Sequence, residues 1–523
     1  MDVFCMEKKR VIVYIVFFTF VLFWLLVFGQ LNGASGLRGD VNLIDEGQFG
    51  AWINHMLNGK KMYKDFFPPY GPLQVFPIYV LTKIFGPTYF IIRFYVTVLG
   101  VFLGLVASFI TLKILKISNK IGWIVLFFFI LYPGIHIRSW IVVLALALLV
   151  KYFNKNSVRS LFLIGVLSGY TLLQSVESGI FLFLISFGYV LVKVFKNNNR
   201  QINIKNATYY YGGFLILLTA FSLFSAWEGW LFNYIQSTIS FLTSVSGINL
   251  PNGQGLPNIL GDFTRVDSIF TLIKFIFSKN LLFYWTIVLL VLSQTVVFIR
   301  YILHRNTSED TIVFLIIIYV WMSYFGTIGR SGHHFFYASF IVLFAGYFLS
   351  LLFRTRKKQL VAGKLKIVLI ILLLAYISRY LMIYRYTSYF DFSGVNYVNR
   401  VGAITISKEQ AKDIRLMQEY INRTTRKKDT IFLFNNMPGW YFLLDRENAT
   451  KYDFPLLALL KRDRLELVAM LEKNNPVYII EDLNAWPVDE VSDRQRMPEV
   501  LNYMNKNYFV YAKKEHFLIY KKR

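Results

Sequence analysis

Asp45 and Glu46 are adjacent carboxylates followed by Gly47, about 15 residues beyond an apolar N-terminal stretch that runs from Val11 to Leu31. Residues 1–386 hold only 12 Asp or Glu against 34 Lys or Arg. Ionised groups beside hydrocarbon are costly and mark functional sites. The two acids therefore read as a catalytic centre, in which a carboxylate can serve as general base. Farther along, Gly329-Arg330-Ser331-Gly332-His333-His334 sets an arginine beside two imidazoles. A guanidinium fork makes bidentate, charge-assisted bonds to phosphate, and His333 and His334 can add donors. Arg93 and Arg138 lie near other expected outer helix ends and could hold phosphate as well. For each of the three arginines the alternative is snorkelling to outer headgroups.

Each of the other polar candidates has two readings. Asp45 could cap an interfacial helix with Glu46 in its first turn, a role compatible with catalysis. Glu177, in Gln174-Ser175-Val176-Glu177-Ser178-Gly179, interrupts two apolar runs and marks either an intramembrane functional site or a short outer turn. His55 reads as a surface residue of the interfacial helix. No metal is expected at His333 and His334, because no nearby carboxylate or third histidine completes a ligand set. Cys5 is the sole cysteine, which excludes an intrachain disulfide and a Cys-based metal site.

These groups sit in a chain built for a membrane. Of its 523 residues, 56% are hydrophobic and 18% aromatic, and this places the chain in the polytopic membrane class. Apolar runs predict eleven spans near 11–31, 89–112, 121–135, 139–152, 160–176, 178–195, 208–227, 281–303, 311–328, 334–353 and 367–386. The first run is too long for a cleaved signal core and reads as a retained helix. With the N-terminus inside, the connections 113–120, 151–159, 193–205, 300–310 and 353–366 fall on the cytoplasmic side, and all are basic. Positive-inside sorting explains most of the formal charge of +26, so nucleic acid is not an expected partner. Membrane lipids are.

Two outer segments follow from this topology, 32–88 and 228–280, together with a tail over 387–523. The first contains helix-like pieces at Gln48 to Asn58 and Leu73 to Phe85, expected along the interface. In the tail, helices at Lys408 to Arg423 and Arg464 to Lys473 alternate with strands at Thr430 to Phe434 and Val477 to Glu481. A strand pair follows at Tyr508 to Ala512 and Phe517 to Tyr520. That order predicts a small extracytoplasmic α/β domain. Because the tail offers no obvious catalytic group, it is expected to shape or cover the site. Asn422-Arg423-Thr424 and Asn448-Ala449-Thr450 match the glycosylation triplet.

Asp45-Glu46-Gly47, Ala51, Leu57-Asn58-Gly59, Tyr63-Lys64-Asp65-Phe66, Gly71-Pro72-Leu73, Phe85-Gly86 and Arg93 resemble the first outer loop of GT-C-type glycosyltransferases. That group includes the protein O-mannosyltransferases and lipid A aminoarabinose transferases. The Gly329 to His334 segment is similar to a Gly-Arg-Ser-Asp…His segment of some bacterial members. Asp429-Thr430-Ile431-Phe432, Tyr441-Phe442-Leu443 and Asn475-Pro476-Val477-Tyr478-Ile479-Ile480 resemble their tail domain. The resemblance implies an integral enzyme of the cytoplasmic membrane that moves a sugar from a polyprenyl-phosphate donor to an extracytoplasmic acceptor. It maps the base onto Asp45, with Glu46 orienting or tuning it. One departure is that many relatives carry a second acid in the next outer loop, whereas Tyr132 to Trp140 has none, which weakens a two-carboxylate metal site. The alternatives are a polytopic lipid or sugar transporter and a surface-polysaccharide polymerase. Neither calls for paired acids just after the first span, and no duplicated half of the transporter kind is visible.

Overall fold

The structure is a computed structural model that describes residues 14–20, 22, 23, 26, 37–114, 139–155, 157–196, 200–247, 263, 264, 266–276, scattered positions over 291–322, 394–458, 460–485, 487 and 492–523. In chain order the helices are α1 (Asp45–Leu57), α2 (Pro72–Phe85), α3 (Tyr89–Arg93), α4 (Gly100–Ile114), α5 (Ser139–Lys155), α6 (Val158–Gln174) and α7 (Val176–Lys196). They continue with α8 (Arg200–Trp227), α9 (Leu231–Gly247), α10 (Ile269–Ile276) and α11 (Lys408–Thr424). The C-terminal elements are β1 (Thr430–Leu433), α12 (Gly439–Leu444), β2 (Glu447–Asn448), α13 (Lys461–Asn474) and β3 (Tyr478–Asp482). Last come α14 (Asp493–Arg496), α15 (Pro498–Asn507), β4 (Tyr508–Lys514) and β5 (Phe517–Lys522).

The chain divides into two compact units. The first comprises Met1–Gly36, Val96–Thr219 and Gln254–Asp391. Its described helices α5, α6 and α7, with the adjoining α8, match the expected spans 139–152, 160–176, 178–195 and 208–227. Leu149, Tyr152, Leu161, Ile164 and Tyr210 form a shared buried cluster. Gly165 of α6 and Gly213 of α8 have backbone of the opposite helix where a Cβ would sit, the close crossing that small residues permit between membrane helices. Among the described residues, one helix, Ile204–Trp227, is long and apolar enough to cross a membrane. The expected span 89–112 appears as α3, a π-helical turn Phe94–Leu99, and α4. Spans 121–135, 334–353 and 367–386 lie outside the described residues, as do most of 11–31, 281–303 and 311–328.

The second unit comprises Leu37–Tyr95, Ala220–Gly253 and Phe392–Arg523. Its centre is a five-stranded sheet in the order β2-β1-β3-β5-β4. β2, β1 and β3 run parallel, while β5 pairs antiparallel with both β3 and β4. The central strands β1 and β3 are buried because both faces are covered: three of four residues in β1 and all five in β3, Glu481 and Asp482 among them. The edge strand β4 carries Lys513 and Lys514, charges that discourage edge-to-edge pairing. Ser407 caps α11 by accepting from the Gln410 N–H, and the helix buries Ala411, Ile414, Met417 and Ile421 on one face.

The tail elements expected from sequence therefore appear within a few residues, but the first outer segment does not behave as expected. Every residue of α1 from Gly47 to Met56 is buried, so α1 is a core helix of this unit rather than an interfacial one. Backbone bonds tie the two segments together. Thr405 donates to Leu37, Tyr89 to Arg400, Phe90 to Val401 and Phe67 to Lys451. A domain boundary at 386/387 falls outside the described residues; the compact unit draws residues 37–95 in with the tail.

Candidate active site

The turn that bears Asp45 and Glu46 is assembled around a buried guanidinium. Arg93, at the end of α3, is fully buried, and Glu46 is about one-tenth exposed. Arg93 Nε donates to Glu46 Oε1 at 2.6 Å, and Nη2 donates to Glu46 Oε2 at 2.7 Å. Its remaining N–H groups reach the carbonyls of Arg38 (3.2 Å), Gly39 (2.9 Å) and Asp40 (2.8 Å). Five donors thus meet five oxygens from residues 38–46, an arrangement that a fixed fork suits and a lysine ammonium cannot copy. This corrects one expectation: a guanidinium committed in this way has no donor left for a phosphate. Arg93 instead folds the loop that carries the acids.

Entry to α1 is closed by Asn42, whose Oδ1 accepts from the N–H groups of Ile44 and Asp45 at 3.0 and 2.9 Å. Glu46 Oε2 accepts the Asn42 N–H in return. Asn42, not Asp45, therefore plays the capping part, and Asp45 stands within the first helical turn. Asp45 is exposed and accepts from Asn42 Nδ2 at 3.0 Å. Both acids sit in the first turn of α1. One of them is bound into the protein and the other faces outward.

α12 backs this turn. A Cβ on Gly47 would meet the Gly439 nitrogen at 2.6 Å, and one on Gly50 would meet the Tyr89 hydroxyl at 2.6 Å. The Tyr89 hydroxyl donates to the Gly439 carbonyl at 3.1 Å, and the Gly439 N–H donates to the Leu43 carbonyl at 3.0 Å. Farther along α1, His55 corrects a second expectation: it is buried at 1% exposure, stacks on Phe66, and its Nε2 lies 2.7 Å from Asp453 Oδ1. Asn448 Nδ2 also donates to Asp453. Asn448 itself is 2% exposed, so its triplet cannot serve as a glycosylation acceptor in the folded chain.

Arg138, Arg330, His333 and His334 lie outside the described residues. Glu177 falls in the first turn of α7, in the other unit. Among the described residues no group of three or more His, Cys, Asp or Glu could hold a metal ion. Asn42 stands three residues before Asp45, a spacing that signals a helix start. Gly439 and Asp453 carry no local signal, since they act across nearly 400 residues of chain.

No protein-family model and no curated protein matches the sequence. Solved structures do. The archaeal oligosaccharyltransferase AglB from Archaeoglobus fulgidus, in complex with an inhibitory peptide and a dolichol-phosphate, aligns with a TM-score of 0.56 at 12% identity, covering 99% of this chain and 74% of that one. The fold is similar to that of this oligosaccharyltransferase. The A. fulgidus oligosaccharyltransferase in its apo form gives 0.51 at 13% identity, over 90% of this chain and 69% of that one. ArnT from Cupriavidus metallidurans bound to undecaprenyl phosphate spans 98% of both chains at 11% identity, with a TM-score of 0.48; the fold assignment rests on the first two. In the present chain the acid-bearing loop and the sheet-containing tail belong to one unit.

Proposed function

We propose that the chain is an integral membrane glycosyltransferase that moves a sugar from a polyprenyl-phosphate carrier to an acceptor on the outer face of the cytoplasmic membrane, as a step in cell-envelope glycan assembly. The observation that carries this reading is the division of labour between the two acids. Glu46 is locked to Arg93, and this holds an exposed Asp45 carboxylate in place on a rigid turn. Asp45 takes the proton of an acceptor hydroxyl as that oxygen forms a bond to the sugar's anomeric carbon. The bond from that carbon to the phosphate oxygen breaks, and its electron pair leaves with the lipid phosphate. Arg330, His333 and His334 bind that phosphate, with Arg138 as a further cation, and stabilise the charge that develops on it. The dolichol-phosphate in the AglB complex supports a lipid phosphate as the leaving group. The reaction as written needs no metal.

Asp45→Asn tests the assignment because it keeps the size and hydrogen-bonding shape but accepts no proton at neutral pH. Losing a general base lowers rates by about a hundredfold to ten-thousandfold, whereas losing a surface polar contact does little. We expect normal insertion, retained donor binding and nearly abolished transfer. Glu46→Gln acts through Arg93 and is expected to lose less activity and more stability. A well-inserted Asp45→Asn protein with near wild-type transfer would refute the role of Asp45.

A further inference from the structure

The second unit has an apolar exposed face that the transfer chemistry does not use. Three residues separate α9 from the end of α8, and α9 contains no charged residue along its 17 positions. Its rotation is fixed from one side. Tyr234 packs against Tyr63 and Phe221, and Trp230 just before the helix contacts Phe221, Phe224 and Tyr63. The opposite side exposes Phe232 (75%), Ile235 (47%) and Ile239 (57%), at the i, i+3, i+7 spacing of one helix face.

Water is a poor neighbour for such a face, and chain connectivity supplies another. The helix that leads into α9 is the described one long and apolar enough to span a bilayer, and it ends at Trp227, which is 85% exposed. Trp at the end of a span belongs to the headgroup level. Glu228 and Gly229 then turn the chain, Lys61 bonds the Glu228 carbonyl at 2.7 Å, and α9 starts at that same level. α2 is joined to the same aromatic cluster near its start, through Phe76 and Phe224, and exposes Ile84 and Phe85 at its other end.

We propose that α9 lies in the plane of the membrane boundary, with Phe232, Ile235 and Ile239 seated among lipid headgroups and upper acyl chains, as the lipid-contact element of the outer unit. This stands independently of the transferase reading, since no donor or acceptor enters the argument.

The test uses the full-length Cys5→Ser chain in vesicles of phosphatidylcholine and phosphatidylglycerol. Nitroxide labels are placed singly at Phe232→Cys, Ile235→Cys and Ile239→Cys. Ile216→Cys on the apolar helix serves as a lipid reference, and Lys473→Cys on the tail as a water reference. Collision rates with oxygen and with a water-soluble nickel chelate report depth. All three α9 labels are expected at one common depth of about 5–10 Å below the boundary, favouring oxygen as Ile216→Cys does. A steady depth change of about 10 Å from 232 to 239, at 1.5 Å rise per residue, would mean that α9 crosses the bilayer and overturn the proposal. Nickel access like that of Lys473→Cys would mean water contact, and shielding from both reagents would mean a protein cover such as a second copy. Either result also overturns it.

Discussion

Gly47 measures how tightly the acidic turn is held. Alanine in a helix is favoured over glycine by about 1 kcal/mol, yet a Cβ here would sit 2.6 Å from the backbone nitrogen of Gly439. That neighbour is backbone and cannot swing aside. Overpacking a filled site is worth about 1–3 kcal/mol against folding, so the steric effect exceeds the propensity gain. Gly47→Ala is expected to lower the unfolding temperature by several degrees and to reduce transfer, whereas a neutral or stabilising result in a thermal melt would show that α1 and α12 are not packed as described. The two acids were legible in sequence because carboxylates are scarce there. The clamp around them was not, because Arg93 follows Glu46 by 47 positions and its other partners are backbone carbonyls, which carry no residue identity.

At the scale of elements, legibility followed local period. α11 shows its apolar face at helical spacing, and β1 and β3 each hold a short apolar run between turn residues, so all three were readable. α12 has all six residues buried and so shows no period, and β2 is two residues long. Neither can be told from a loop by pattern. Polar groups at the end of the sheet make a further prediction. Asp493 opens α14 and accepts from the Asn436 N–H and side-chain amide, but burial pushes its carboxyl up to about 6. Burial also raises Asp413 and Asp482, which flank His516. For a raised carboxyl the folded state holds the proton more tightly than the unfolded chain, so stability falls as pH rises from about 4 through about 6. Asn at position 493 removes that penalty, up to about 3 kcal/mol for two pKa units, and forfeits about 1 kcal/mol of hydrogen bonding. Asp493→Asn should therefore melt below wild type at pH 3 and above it at pH 8. Parallel melting curves at the two pH values would contradict the buried-acid account.

For the whole molecule, the grouping of 37–95 with the tail changes what the tail does. A tail that only covered the site could be removed with donor binding intact; one that shares a core with α1 cannot, because its loss would strip the cover from ten consecutive buried residues. The same grouping places Lys64 and Lys513 in one unit, so both must face the same compartment. In a Cys5→Ser background, Lys64→Cys and Lys513→Cys should each react with an impermeant thiol reagent on intact cells, and in the wild-type chain Cys5 should stay protected; labelling of the two introduced cysteines only after lysis would invert the topology. The central claim is transfer itself. Full-length protein is reconstituted in vesicles with radiolabelled polyprenyl-phosphate hexoses or pentoses and a native membrane extract as the acceptor source. The account predicts that polyprenyl phosphate and glycosylated acceptor appear mole for mole and that Asp45→Asn vesicles produce neither. Intact donor crossing to the opposite leaflet with no polyprenyl phosphate released would contradict it and identify a transporter.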